Sequence, residues 1–253
     1  MTSSLLPTFH AFSTRYGGVS TGEFSTMNFG AARGDDPEAV EENYRRWCAL
    51  FGAESDGCCM AKHVHENVIR IVSGADRHVP LSDTPYEVDG LVTGEKNLPI
   101  FCFTADCVPV LLADKKGNSA GAVHCGWKSS VKDILKNTVD AMCSLGTEPE
   151  DICAAIGPSI GKCCFETDRD VPDAVERYLS GETEGLWTYN GMKYYVDLRE
   201  ANARRLEQLG IKRENIDLSE ECTVCSHEKY WSARYTAKHH LMRGSLCAGI
   251  VLR

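Results

Sequence analysis

The segment from Thr104 to Lys128, TADCVPVLLADKKGNSAGAVHCGWK, constrains this chain more than any other. Its two apolar runs, VPVLLA and SAGAVH, flank a polar stretch from Asp114 to Asn118 whose Gly and Asn suit a tight reversal. The spacing predicts strand, turn and strand, with Cys107 at the mouth of the first strand and His124 at the end of the second. Such a hairpin brings a thiolate and an imidazole together. That pair belongs either to a metal site or to a nucleophile with its base.

The 253 residues can bury a large core, and no Pro-, Ser- or Gly-rich linker divides them, so residues 1–253 read as one domain. Hydrophobic residues at 43% and charged residues at 25% describe an ordinary globular protein and exclude disorder. The net charge is −9 and the Lys and Arg residues are scattered, which argues against nucleic acid as a partner. A small anion held by a few local cations remains compatible with that balance. The cysteines number 13, an odd count without small-scaffold spacing, and the N-terminus lacks a charged and then apolar leader. A reducing, cytoplasmic location is therefore expected. No apolar run approaches the ~18 residues of a membrane span, so no membrane association is expected.

Along the chain, Phe12 to Gly30 holds four glycines and reads as a loop passing close to something, with Arg15 offering a planar cation or lying on the surface of a hairpin. Asp36-Pro37 is an N-cap and first-turn proline for a packing helix that carries Val40, Tyr44, Trp47 and Phe51 up to Gly52. Cys58 to Val72 reads as β-rich; if extended, His63 and His65 share one face, roughly 6.5–7 Å apart. Val88 to Thr93 and Ile100 to Phe103 read as strands. Further helices are predicted over Ser130 to Gly146, near Val171 to Leu179, and from an Asp197 cap to Gly210, with an apolar strand starting at Ile152 and another closing the chain from Ala248 to Leu252. Cys222 and Cys225 with nearby His227 form half of a structural zinc pattern, without a second pair at suitable spacing; packed, reduced thiols are the alternative. The mixture of short strands and four amphipathic helices places the chain in the α/β or α+β class.

Taken together, FSTRYGGVSTGEFSTMNFG, KHVHENV, DGLVT, TADCVPVLLAD, GAVHCGWK, IGPSIGKCCFE and the closing YWSARY and AGIVL resemble the laccase-domain family, described both as multicopper polyphenol oxidases and as purine nucleoside phosphorylases. The resemblance implies a layered α-β-β-α sandwich with mixed sheets. It also implies a metal pocket with His65, Cys107 and His124 as ligands and catalytic residues, and Arg15 as a pocket residue suited to phosphate or ribose. Arg234 is carried over as a further substrate-binding residue from the family's terminal element, and Lys128 is a substrate-binding candidate on its charge. This chain departs from the family in having His63 where Gln is common, Cys125 where a small Ala or Cys is common, Ser129 where Gly is common, and Tyr235 where a second Arg follows Arg234.

Two imidazoles and a thiolate suit Zn²⁺ with one open position, with Cu²⁺ as the other candidate, and do not suit Mg²⁺ or Ca²⁺. The resemblance points to phosphorolysis of purine nucleosides (adenosine, inosine, guanosine or methylthioadenosine) by inorganic phosphate, with adenosine deamination as a related activity. Arg15 and Lys128 are candidates for the phosphate clamp. Asp106, beside Cys107, either orients a ligand histidine or caps a turn. Three other readings stand beside this one: a copper oxidase of phenols, a cysteine hydrolase with Cys107 as nucleophile and His124 as base, and a non-enzymatic metal-binding protein. With eight histidines in all, the chain is poor in ligands for several coppers.

Overall fold

The computed structural model describes residues 1–82 and 86–253. The first half of the chain forms β1 (Phe9–Phe12), α1 (Pro37–Leu50), β2 (Ile69–Ile71), β3 (Gly90–Thr93), β4 (Ile100–Thr104), β5 (Val108–Asp114), β6 (Ala120–Cys125), α2 (Trp127–Val131) and α3 (Ile134–Ser144). The second half adds β7 (Ile152–Ile156), β8 (Glu166–Thr167), α4 (Asp170–Tyr178), β9 (Trp187–Tyr189), β10 (Tyr194–Val196), α5 (Leu198–Gln208), β11 (Ile216–Leu218), α6 (Ala233–His239) and β12 (Leu246–Val251).

The hairpin anticipated at residues 104–128 is β5 and β6, paired antiparallel from Val108 opposite Cys125 to Ala113 opposite Ala120. It lies at the centre of a six-stranded mixed sheet ordered β11-β7-β5-β6-β3-β2. Every residue of both strands is buried because both faces of the sheet are covered. Successive side chains point to opposite faces, so Leu111 and Ala113 join one core while Val110 and Leu112 join another.

The first core lies against a three-stranded antiparallel sheet, β1-β12-β4, through Ile100, Cys102, Ala248 and Ile250. The second lies against α3, α4 and α5, through residues such as Leu135, Val139, Val175 and Leu206. On the outside of the three-stranded sheet, α1 packs Val40, Tyr44 and Trp47 onto Phe101, Cys247 and Val251. Helix, sheet, sheet and helix therefore stack in the α-β-β-α order that the resemblance implies. A small third sheet, β8-β10-β9, lies outside these layers in the sheet pairing.

Three sequence expectations change in the structure. The predicted helix over Ser130 to Gly146 is broken at Asp133, which adopts φ +70° and pairs its carboxylate with Arg205 at 2.6 Å, leaving the short α2 ahead of α3. Within Cys58 to Val72 only Ile69–Ile71 is a strand, and His65 sits at φ +61°, so His63 and His65 do not share a strand face. There are six α-helices among the described residues where four were expected; α2 and α6 are too short to show a helical period.

Close packing between α1 and the three-stranded sheet depends on Gly249, where a Cβ would meet the Phe101 ring at 2.6 Å and Phe51 at 2.7 Å. Gly249→Ala is expected to lower stability by about 1–3 kcal/mol through overpacking, measured as a shift of the urea midpoint at unchanged slope.

Candidate metal centre

The ends of three neighbouring strands meet at one point of the central sheet. The C-terminal end of β6 lies between the N-terminal ends of its antiparallel neighbours β5 and β3. His124 is the last residue but one of β6, Cys107 precedes β5, and Asp89 precedes β3, so the strand pairing alone collects an imidazole, a thiol and a carboxylate. His65 arrives from the loop ahead of β2.

Asp89 is fully buried and accepts four hydrogen bonds. Oδ1 takes the N–H of His65 at 3.0 Å and Nδ1–H of His124 at 2.8 Å. Oδ2 takes the N–H of Glu66 at 2.7 Å and of Val64 at 3.2 Å. The carboxylate thus folds the 64–66 loop around itself and holds His65 in its left-handed conformation. Burial pushes its pKa up, but the hydrogen bonds from His124 and Glu66 outweigh burial and hold it at about 2.

Because Nδ1 of His124 donates to Asp89, Nε2 is the nitrogen left to face Cys107 and His65. The Cys107 sulfur lies 3.9 Å from Nε2 of His65, and donor atoms of His65, Cys107 and His124 all fall within 4.8 Å of one another. Burial raises the Cys107 thiol, yet the neighbouring His124 and His65 bring it down to about 6. Burial lowers His124, while the Cys107 sulfur and the Asp89 carboxylate raise it to about 9. Both shifts run in the direction that favours a thiolate–imidazolium pair when no cation is bound. Gly126 lets the three side chains close up, since a Cβ there would stand 2.9 Å from the His65 ring and 3.4 Å from the Cys107 sulfur.

His63 stacks on His124 with ring centroids 4.7 Å apart, but it is not a free ligand. Its Nε2 accepts the N–H of Phe103 at 3.0 Å and its Nδ1 donates to the carbonyl of Val88 at 3.0 Å. Burial, then the charge of His124, lowers its pKa to about 3, so it is a neutral packing residue. A cation between His63, Asp89 and His124 would have to displace these bonds.

Asp106 does not orient a histidine. At φ +85° it turns away and accepts Oγ1–H of Thr223 at 2.6 Å and the N–H of Arg234 at 2.6 Å. The carboxylate that orients His124 is Asp89, which sequence reading passed over. Its signal was present in DGLVT, a polar residue ahead of an apolar strand, but only the pairing of β3 with β6 places it beside His124.

The remaining residues expected at the site divide. Arg15 donates to the carbonyls of His227 and Ser25, and its guanidinium lies 3.8 Å from the centre of the Trp231 ring. Lys128 is exposed on α2 with its Nζ 5.7 Å from the Trp127 ring. Neither lines the cavities beside the triad, because each has its cation directed elsewhere. Arg234 does line one of them.

Two cavities open beside Cys107. One, of about 450 Å³, is lined by His65, Cys107 and His124 together with Phe103, Arg33 and Arg243. The other, of about 330 Å³, is lined by Trp127, Ile160, Phe165 and Leu198, with Cys107 and Arg243 shared between the two. Burial, then the neighbouring Arg243 charge, lowers the pKa of Arg33, and Arg243 Nε is buried without a hydrogen-bond partner among the described residues. Two mutually repelling arginines with no carboxylate ion-pair partner among the described residues make an electropositive wall, a signal that isolated Arg residues in a sequence do not carry.

The family described as multi-copper polyphenol oxidoreductase laccase matches residues 9–253. This chain belongs to that family. Among its relatives, a purine nucleoside phosphorylase of Mycobacterium bovis is 37% identical over 213 residues, covering 83% of this chain and 80% of the relative. The purine nucleoside phosphorylase YlmD of Geobacillus stearothermophilus is 34% identical over 229 residues, covering 87% of this chain and 82% of the relative. The crystal structure of YlmD superposes with a TM-score of 0.92, covering 99% of this chain and 94% of that one at 30% identity. Among the described residues of this laccase-family chain, no helix is long and apolar enough to cross a membrane.

Asp89→Asn leaves an amide N–H₂ facing donors and is expected to weaken metal affinity about 10–100-fold, read by competition with a chromogenic chelator using Zn²⁺ as the probe. Affinity is also expected to rise about ten-fold per pH unit between about 6 and 9, where Cys107 is already a thiolate and His124 must still release its proton. Below about 6 the fall should steepen as Cys107 also protonates. Titration calorimetry in buffers of different ionisation enthalpy reads the released proton directly.

Proposed function

We propose that this chain is a purine nucleoside phosphorylase that works at a zinc site formed by His65, Cys107 and His124. The observation that carries the reading is the pairing of this N₂S donor set with an arginine wall in one cavity, next to an aromatic and apolar second cavity. The names of the relatives in Mycobacterium bovis and Geobacillus stearothermophilus support the same activity.

Phosphorolysis joins a phosphate oxygen to the anomeric carbon and breaks the glycosidic C–N bond, whose electron pair passes into the purine. In this reading Arg33 and Arg243 hold the phosphate dianion, since both line the cavity and neither is in an ion pair with a carboxylate among the described residues. Trp127, Phe165 and Ile160 surround the flat purine in the neighbouring cavity. Cys107 and Arg243 belong to both linings, so the sugar bridges the two at that junction. Arg234, on the purine side, donates to the carbonyls of Cys164 and Glu166 and acts through the shape of the wall.

Three protein ligands of borderline-soft character fit zinc, and Asp89 supplies the carboxylate that fixes the tautomer of His124. When bound, the ion supplies Lewis-acid relief of negative charge on the phosphate or the departing base. A copper oxidase of the multicopper kind has less support. Among the described residues only His63, His65 and His124 cluster as histidine ligands, and both nitrogens of His63 are already bonded.

A second reading is favoured by one observation. Cys107, His124 and Asp89 also form a thiolate, base and orienting carboxylate in series, the arrangement of a cysteine hydrolase. Iodoacetamide separates the two. Under phosphorolysis, Zn²⁺ protects Cys107 from alkylation and supports activity; under a hydrolase mechanism, the metal-free protein is the active one and Zn²⁺ inhibits it.

Incubating adenosine, inosine, guanosine and methylthioadenosine with phosphate and protein, then separating the products by chromatography, should show free base and ribose 1-phosphate (or its methylthio analogue) only when phosphate is present. Inosine appearing from adenosine without phosphate would reveal the deaminase activity. Arg243→Ala is expected to raise KM for phosphate about ten-fold or more with a smaller effect on nucleoside binding. Full phosphorolysis by metal-free Cys107→Ala protein would refute the assignment.

A further inference from the structure

Outside the site already described, four sulfurs converge on one point. Cys163 and Cys164 lie on the loop after β7, and Cys222 and Cys225 lie on the segment leading to α6, about 60 residues away in the chain. The Cys225 sulfur stands 3.6 Å from that of Cys163 and 3.5 Å from that of Cys164, and all four sulfurs are within 4.8 Å of one another. Tetrahedral zinc with Zn–S bonds of about 2.3 Å places its sulfurs about 3.8 Å apart. The two spacings to the Cys225 sulfur are close to that edge, the others fall within 4.8 Å, and the two are far longer than an S–S bond.

The backbone around the cluster is arranged for a bound thiolate. The N–H of Gly161 donates to the Cys222 sulfur at 3.3 Å, and the N–H groups of Val224 and Cys225 also point at it. Burial raises Cys222, but these three donors outweigh burial and lower its pKa below the ordinary thiol value. Burial, then the neighbouring sulfurs, raises Cys163 and Cys164. Gly161 permits the approach, since a Cβ there would stand 3.2 Å from Cys222 Cβ and 3.3 Å from the Cys163 sulfur. The same hypothetical Cβ would lie 2.9 Å from the Arg199 guanidinium, so a cation stands next to a cluster whose four thiolates would outnumber the charge of a divalent ion.

We infer that Cys163, Cys164, Cys222 and Cys225 form a second metal site, a tetrathiolate for one zinc ion that staples the loop after β7 to the segment entering α6. The segments joined are those that wall the apolar cavity. Thr223, between the two ligands of the second pair, donates its hydroxyl to Asp106 and its N–H to the Ser159 carbonyl. Arg234, further along that segment, binds the carbonyl of Cys164. The staple therefore has a positioning role for the cavity beside Cys107, and it is independent of which reaction occurs there.

The test uses the full chain carrying Cys107→Ala, which removes the first site, stripped of metal under reductant and titrated with Co²⁺. One equivalent should produce the intense sulfur-to-cobalt charge-transfer and tetrahedral d–d bands of a four-sulfur set, and Zn²⁺ should displace them. Zn²⁺ should also slow alkylation of these four cysteines by about ten-fold or more, read by mass spectrometry. Adding Cys222→Ser and Cys225→Ser should abolish both signals. Should that variant not fold, ¹¹³Cd NMR of the natural chain, with Cys107 in place, decides the matter: a tetrathiolate resonance beside an N₂S resonance is expected. An N₂S resonance alone, or a disulfide joining the two pairs in the reduced preparation, overturns the proposal.

Discussion

The buried carboxylate of Asp89 is the interaction on which the rest of the site depends. A fully buried carboxylate is costly unless each lone pair has a donor, and here three consecutive backbone N–H groups and one imidazole supply them. One charge therefore does three things at once. It folds the loop that carries His65, it fixes which nitrogen of His124 faces the thiol, and it ties that loop to the start of β3. The neutral His63, bonded at both nitrogens and stacked on His124, fills the space behind the pair without adding charge.

Around that charge, the strand order supplies the geometry. β6 lies between β5 and β3 and runs opposite to both, so one end of β6 meets the starts of its neighbours. Residues that are 35 positions apart, Asp89 and His124, become hydrogen-bond partners across that pairing. The core on both faces of the sheet keeps the strand ends from moving, which is the condition for donor atoms to stay within bonding reach of a shared ion. The cavities then follow from what stands beyond the strand ends: arginines on one side, aromatic and aliphatic side chains on the other.

Legibility followed the range of the interactions. The hairpin, α1 with its Asp36 cap and α5 with its Asp197 cap are expressed in patterns a few residues long, and the structure agrees with them, whereas the layered architecture was implied by the family resemblance alone. Sequence reading also selected His65, Cys107 and His124, helped by the family resemblance, and the fold brings their donor atoms together. It could not see that Asp106 turns away at a positive φ while Asp89 turns in. Nor could it see that Arg15 is held against Trp231, or that Arg33 and Arg243 meet across a cavity.

The four cysteines show the same division most plainly. In the sequence, Cys222 and Cys225 are half of a metal pattern whose other pair stands about 60 residues earlier, outside any local spacing. The parallel run of the Ser159 and Cys222 segments brings Cys163 and Cys164 alongside. What the sequence by itself determined was residue type and local form: which stretches are strands, which helices have caps, and which side chains can bind a metal. Only the tertiary structure decided which carboxylate serves which histidine, which cations face the cavities and which thiols meet. The reason is physical: these pairings are made through contacts between segments distant in the chain, and their geometry is set by sheet order and core packing.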